Sequence, residues 1–163
     1  KIFFKMIAKT PNRPALTVWN ILENLNKKEA CTIINSDQLI DFNFPKIINL
    51  NRIYIPIHYN SHGKSSYVKI SKDNKITAIF EKKLISNYAS SGVYIFGSYK
   101  ILIKSFKSFN KNLNRNEINL SHIINNYLKM NKTFAESLET YLKYDLGSST
   151  NIRNFNNLIK RSF

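Results

Sequence analysis

The sequence predicts a single α/β domain built on a mixed, mainly parallel sheet. Three observations carry that expectation. A short β-branched run, Cys31 to Ile34, breaks off into Asn35-Ser36-Asp37. A buried parallel strand reads this way where its carboxyl end opens into a site. An amphipathic helical stretch precedes the run, giving the strand–loop–helix–strand order of a parallel sheet. The chain's 163 residues, 43% of them hydrophobic, suffice for about one domain with one sizeable core.

Taken in order, Lys1 to Ile7 reads as a strand, followed by the loop Lys9-Thr10-Pro11-Asn12-Arg13-Pro14. Pro14 fits the first turn of a helix. From Ala15 to Leu25, Leu16, Val18, Trp19, Ile21, Leu22 and Leu25 leave Thr17, Asn20, Glu23 and Asn24 on another face, as in a helix packed on a sheet. Phe44 to Leu50 is apolar enough for one or two helical turns. Arg52 to Tyr59 alternates as a strand, and Pro56 suggests that it lies at an edge. Tyr67–Ser71 and Lys75–Phe80 flank Lys72-Asp73-Asn74 and predict a hairpin. Ser90 to Gly97 is rich in Val, Tyr, Ile and Phe and reads as one strand. Helical spacing returns at Ser98–Phe109 and Leu120–Met130, one or two short strands fit Thr133–Tyr144, and a closing helix fits Ser149–Lys160.

Composition narrows the function classes. No apolar run approaches the length of a membrane span, and Lys1 to Ile7 is too short for a signal peptide. The single cysteine, Cys31, excludes an internal disulfide framework and fits a reducing, cytoplasmic setting. The net charge of +15 suits a nucleic acid, a membrane surface or a polyanionic small molecule. The lysines are scattered, however, with no long block of like charge and no basic helix face. Much of the charge therefore reads as solvated surface.

Four polar stations fall at or beside strand ends: Asn35-Ser36-Asp37, Glu81-Lys82-Lys83, Ser90-Ser91-Gly92-Val93-Tyr94 and Tyr144-Asp145-Leu146-Gly147-Ser148. Open α/β sheets bind ligands in the crevice at such ends, where Asp37 would have its carboxylate free for a divalent cation. Two distant aspartates closing strands suit Mg²⁺, which takes one or two carboxylates and leaves its other positions to water and phosphate. Gly92 within a β-rich run suggests close backbone approach, and Ser148 or Ser149 suits a helix cap. Each station alone also reads as ordinary structure: surface charge at Glu81-Lys82-Lys83, a turn at Asp145, a bulge at Gly92. His58 and His62 lie in or beside a polar loop with no third ligand nearby, which argues against zinc.

Together and in this order, the stations resemble the sugar-phosphate nucleotidylyltransferase family, from about Thr10 to Asn157. The family's Asn-Gly-Asp is matched by Asn35-Ser36-Asp37, and its Glu-Lys-Pro by Glu81-Lys82-Lys83. Its small-Gly-Ile-Tyr strand is matched by Ser91-Gly92-Val93-Tyr94, and its Asp-x-Gly-Thr-Pro by Asp145-Leu146-Gly147-Ser148-Ser149. Asn35–Gln38 and Glu81–Ser86 look more like a branch found in capsule and surface-glycan gene sets, some of whose members make CDP-linked products. The resemblance implies a Rossmann-like three-layer sandwich of the nucleotide-diphospho-sugar transferase type. It implies that Asp37 and Asp145 hold Mg²⁺, that Glu81 contacts a polar group of the acceptor and that Lys82 meets its phosphate. Arg13, Pro14 and Ala15 match the loop against the nucleotide base, Asn35 belongs to the substrate-binding motif, and Gly92 matches the residue that lets the acceptor approach. Ser36, Lys83 and Ser148-Ser149 depart from the pattern and bear on substrate identity.

The family begins with a strand and a Gly-rich loop that wraps the triphosphate with backbone N–H groups. Nothing like it occurs here, where the glycines are Gly63, Gly92, Gly97 and Gly147. The expectation is one nucleotidylyltransferase-like domain over residues 1–163 whose first segment is missing; a remnant with no phosphate cradle is the alternative. The implied reaction joins an NMP from an NTP, CTP or dTTP being the candidates, to a phosphorylated sugar or similar small phosphate and releases pyrophosphate. A homo-oligomer is compatible with this, and no membrane partner is expected. The rival readings are a cytidylyltransferase for a non-sugar phosphate, a catalytically dead nucleotide-binding module and a basic nucleic-acid-binding protein.

Overall fold

A computed structural model describes residues 14–22, 29–109 and 118–162. The strand expected over Lys1 to Ile7, the base-loop residue Arg13 and the end of the first helix lie outside them. Helix α1 (Pro14–Leu22) opens at its proline, whose missing N–H is no loss in a first turn. It packs through Trp19 against Phe106 of α2 (Tyr99–Phe109), with ring centroids 5.3 Å apart. Helix α3 (Leu120–Met130) matches its expected span and is entered through a capping box in which Asn119 and His122 exchange hydrogen bonds. Helix α4 (Ser149–Ser162) closes the described chain. No helix among the described residues is long and apolar enough to cross a membrane.

Among the described residues eight strands form the sheet: β1 (Cys31–Ile34), β2 (Gln38–Phe42), β3 (Ile53–Tyr59), β4 (Ser66–Ile70), β5 (Lys75–Glu81), β6 (Tyr88–Ser90), β7 (Val93–Phe96) and β8 (Ala135–Asp145). Their order is β1-β7-β3-β6-β4-β5-β8-β2, with a further β3–β8 pairing. The chain is α/β and Rossmann-like, but the expected mainly parallel sheet is overturned. Among the described residues, seven of the eight pairings are antiparallel and β3–β8 is the parallel one. Short connections decide this. The hairpin turn at Lys72-Asp73-Asn74, with Asn74 at φ 58°, can only reverse the chain. A parallel neighbour needs a crossover of a dozen or more residues, which the stretch carrying α2 and α3 supplies between β3 and β8.

Other local expectations are corrected as well. The strand expected over Ser90–Gly97 is broken into β6 and β7 at Ser91-Gly92, where Gly92 takes φ 79°. Phe44 to Leu50 forms turns and bends without helix, leaving Phe44, Ile47 and Leu50 exposed. Strand β3 is central, paired with β6, β7 and β8, so Pro56 is not at an edge. Its carbonyl accepts from Ser91 N–H at 2.8 Å. N–H and C=O of one strand residue point the same way, so the donor that proline lacks falls at the β6–β7 break, where the ladder is already interrupted.

Alternation along β3 and β7 feeds two cores. Ile53, Ile55, Tyr94 and Phe96 face the helices, packing with Leu102, Phe106, Ile123, Ile124 and Leu128. Tyr54, Val93 and Ile95 face the other way and meet Ile40, Phe42, Ile48 and Leu138. Among the described residues that second face is covered by β2, part of β8 and a loop, where a three-layer sandwich would place helices. Backbone lies against backbone at Gly97, where an added Cβ would collide with the carbonyl oxygens of Asn49 and Arg52. Gly97→Ala is expected to cost about 3 kcal/mol, read as a lower urea midpoint at unchanged slope.

Candidate active site

Strand β1 delivers Asn35, whose N–H donates to the Gly92 carbonyl at 3.1 Å and ties the strand end to the β6–β7 break. Three residues on, the chain enters β2, and Gln38 pairs directly with Asp145 at the end of β8. The Asp37 carbonyl then accepts from Leu146 N–H at 2.7 Å. Two aspartates far apart in sequence thereby stand side by side. A Cβ on Gly147 would lie 2.8 Å from Asp37 Oδ2 and 3.2 Å from Asp145 Oδ1, so both carboxylates converge on that glycine. The Gly147 N–H donates to Asp145 Oδ1 at 2.9 Å, and Ser148 Oγ accepts from Asn151 N–H at 3.1 Å to cap α4.

Both aspartates open onto a polar cleft of about 210 Å³, with Asn35, Gln38, Lys64, Glu81, Gly92 and Lys143 among its walls. The cleft continues into a groove of about 580 Å³ whose further wall includes Pro14, Thr17, Val18, Ile33 and Leu120. Asn35, Asp37, Ser66, Glu81 and Tyr94 line both. Glu81 ends β5 and is immobilised: its Oε2 accepts from Ser66 Oγ at 2.5 Å and Ser121 Oγ at 2.7 Å. The space above Gly92 holds side chains, for a Cβ there would lie 2.7 Å from Gln38 Oε1 and 2.8 Å from Asn35 Nδ2. Gln38 Nε2 is buried with no hydrogen-bond partner among the described residues, a donor left open in the cleft wall.

Of the residues singled out from sequence, Asp37, Asp145, Asn35, Glu81 and Gly92 meet around this cleft. Lys82 does not line it. It takes φ 51° just past β5, donates its N–H to the Ser65 carbonyl at 2.9 Å, and has an exposed side chain. Ala15 is fully buried, bonded through its N–H to the Ile118 carbonyl at 3.0 Å, and lines a separate apolar cavity with Trp19 and Phe106. Pro14, Thr17 and Val18 are the α1 residues that reach the groove. Lys143, Lys64 and Gln38 were not singled out. Lys143 could have been, since alternation along a strand puts it on the face of Asp145.

Electrostatics divide the cleft. Lys143 is half-buried, and burial pulls its pKa below the usual lysine value while Asp145 and then Asp37 pull it back up. Among the described residues no three His, Cys, Asp or Glu side chains gather as a metal cluster, so the aspartates act as a pair. Such a pair, open to solvent and to a ligand, fits Mg²⁺, which is commonly held by one or two carboxylates plus water and phosphate oxygens. Beneath the cleft, His58 Nδ1 lies 3.1 Å from Ser91 Oγ, which lies 2.9 Å from Thr140 Oγ1. Burial, then the Lys143 ammonium, pushes the His58 pKa down from 6.5 to about 4, against a smaller upward pull from the Ala89 backbone.

A family model described as nucleotidyl transferase matches residues 6–162. The nucleoside-diphosphate-sugar pyrophosphorylase of Vibrio cholerae RC9 has a similar structure, with a TM-score of 0.78 at 18% identity over 91% of this chain and 66% of that one. The inositol-1-phosphate CTP transferase of T. maritima gives 0.63 at 16% identity, over 85% and 57%. The CTP:phosphocholine cytidylyltransferase of Streptococcus pneumoniae gives 0.61 at 11% identity, over 90% and 64%. The chain thus spans less than two thirds of the length of each, and at these identities the likeness is one of fold. No curated protein sequence matches the chain.

The depressed His58 pKa makes stability depend on pH. The unfolded chain takes up the proton first, so the contribution is present above 6.5 and is lost as pH falls towards about 4. Thermal melts across that window are expected to show a falling midpoint, and His58→Gln should flatten the fall.

Proposed function

Because the chain belongs to the nucleotidyl transferase family, we propose that it transfers an NMP from an NTP to a phosphorylated sugar and releases pyrophosphate. The observation that carries this reading is the convergence of Asp37 and Asp145 on Gly147, both carboxylates lining the polar cleft and Asp37 also lining the groove. The groove, with Val18, Ile33 and Leu120 on its walls, suits a nucleoside. The cleft, walled by hydroxyls, amides and charges, suits a polyhydroxylated phosphate. A quaternary ammonium acceptor would call for aromatic faces, and Tyr94 is the aromatic residue of the cleft wall. CTP comes first among the nucleotides, supported by the motif likeness and by the names of two structures of similar fold. The likeness at Asn35–Gln38 and Glu81–Ser86 directs the product to capsule or surface-polysaccharide synthesis. An NTP substrate places the reaction in the cytoplasm.

The acceptor phosphate oxygen attacks the α-phosphorus in line, and the bond to pyrophosphate breaks. The attacker is already an anion, so no side chain needs to remove a proton, in keeping with a neutral His58 turned into a hydroxyl network. Catalysis rests on alignment and charge neutralisation. Mg²⁺ held by Asp37 and Asp145 would neutralise negative charge on the nucleotide phosphates. Glu81, fixed by Ser66 and Ser121, accepts a hydroxyl of the acceptor. Lys82, which follows Glu81 in sequence without itself lining the cleft, is assigned the acceptor phosphate on the motif likeness.

Pyrophosphate release, screened with the four common NTPs against a panel of sugar and non-sugar phosphates, tests the reading. Oligonucleotide binding that falls steeply with salt, without such turnover, would refute it. Asp37→Asn or Asp145→Asn should lower turnover by about a hundredfold or more while leaving the melt unchanged. Unchanged turnover would remove the metal assignment. Lys82→Ala should raise KM for the acceptor more than for the NTP, and equal rises would count against its role.

A further inference from the structure

Resting on that reading, we propose that Lys143 is the built-in counter-ion of the Asp37–Asp145 pair and makes metal binding at this pair depend on nucleotide. Strand alternation places Lys143 and Asp145 on one face of β8, and both line the polar cleft with Asp37. Across the pairing Lys143 stands opposite Ile40, which packs into the second core, so its stem rises from an apolar floor. Its other flank lines a cavity of about 310 Å³ against α4, shared with Asn151, Asn154 and Phe155. The Tyr144–Phe155 ring contact, with centroids 4.9 Å apart, holds that helix in place. Lys143 thus shares one cleft wall with the two carboxylates.

Lys143 closes no ion pair with either aspartate; among the described residues the ion pair is Arg52–Glu136. Lining the same cleft, it offsets their charge without being committed to either. Arrival of a bare divalent cation must overcome this fixed positive charge. A metal–nucleotide complex brings phosphate oxygens that satisfy cation and ammonium together. Metal and nucleotide therefore bind with positive coupling, each raising the other's affinity by the same factor. Lys64, exposed, is the other cation lining the cleft and adds to the attraction for phosphate.

Mn²⁺ titration of the 163-residue chain followed by electron paramagnetic resonance, with and without CTP and with no acceptor present, tests this. Lys143→Met should bind Mn²⁺ roughly tenfold more tightly than wild type without nucleotide, one fixed charge having been removed at short range. It should also lose most of the gain that CTP produces, whereas Lys143→Arg should behave as wild type. Nucleotide-free affinity that is unchanged or weakened in Lys143→Met overturns the proposal. Asp37→Asn separates the two levels. If it binds Mn²⁺ like wild type, the metal site and the transfer reading fail together. If it abolishes binding while Lys143→Met brings no gain, only the role of Lys143 fails.

Discussion

The antiparallel pairing of β2 with β8 is the contact on which the candidate site depends. It sets Gln38 against Asp145, and the Leu146-to-Asp37 hydrogen bond extends it by one step past the end of the ladder. Neither aspartate has the other as a neighbour in sequence, and neither is buried. Their proximity is a property of register. A slip of one residue would turn Asp145 and Lys143 to the opposite face together. The apolar partners of the pairing hold that register: Ile40 and Phe42 sit in a core with Tyr54, Val93 and Ile95. A small hydrophobic cluster thus fixes the spacing of two charges at the far end of the same strands.

A second constraint lies at the Ser91-Gly92 break. Gly92 takes a positive φ, its carbonyl receives Asn35, and Asn35 and Gln38 occupy the space that a side chain would need. The same break receives the proline of β3 and turns Ser91 inward to His58 and Thr140. One irregularity serves three ends. It admits Pro56 to a central strand, anchors the end of β1, and lays a hydroxyl–imidazole network under the cleft. Burial keeps the imidazole neutral, so the network adds rigidity without adding charge beside Lys143.

Much of this architecture is legible in the residues, and the illegible parts share a cause. Helices α2, α3 and α4 announce themselves by apolar spacing, and the β4–β5 hairpin by its Lys-Asp-Asn turn. Strand β1 and the acid beyond it are readable because small polar residues stop an apolar run so sharply. Strand direction is not readable, since a period of two is the same in parallel and antiparallel strands. That is why the sheet departs from expectation although its strands largely do not. Strand β2 escapes notice because Gln38-Leu39-Ile40-Asp41-Phe42 is short and begins with a polar residue whose burial comes only from pairing. Lys143 looks like one more surface lysine among 25 basic residues until β8 shows which face it shares. Lys64, in a polar loop, carries no local signal at all. Ala15 misleads in the other direction: its small size suggests room for a ligand, and it serves helix packing instead.

The distribution of charge gives the composition its meaning. A net charge of +15 spread over the surface does not define a ligand, and its effect at a distance is screened within about a nanometre at physiological salt. Placement in a concave, partly desolvated cleft counts for more, because attraction there is much less screened. Asp37, Asp145 and Glu81 share such a cleft with Lys64 and Lys143. Acids and bases interleaved at this range suit a ligand that carries charge of both signs, and a metal-bound phosphate is one. With His58 held neutral outside the cleft wall, the site works through fixed charges and their spacing. The β2–β8 register is what sets that spacing.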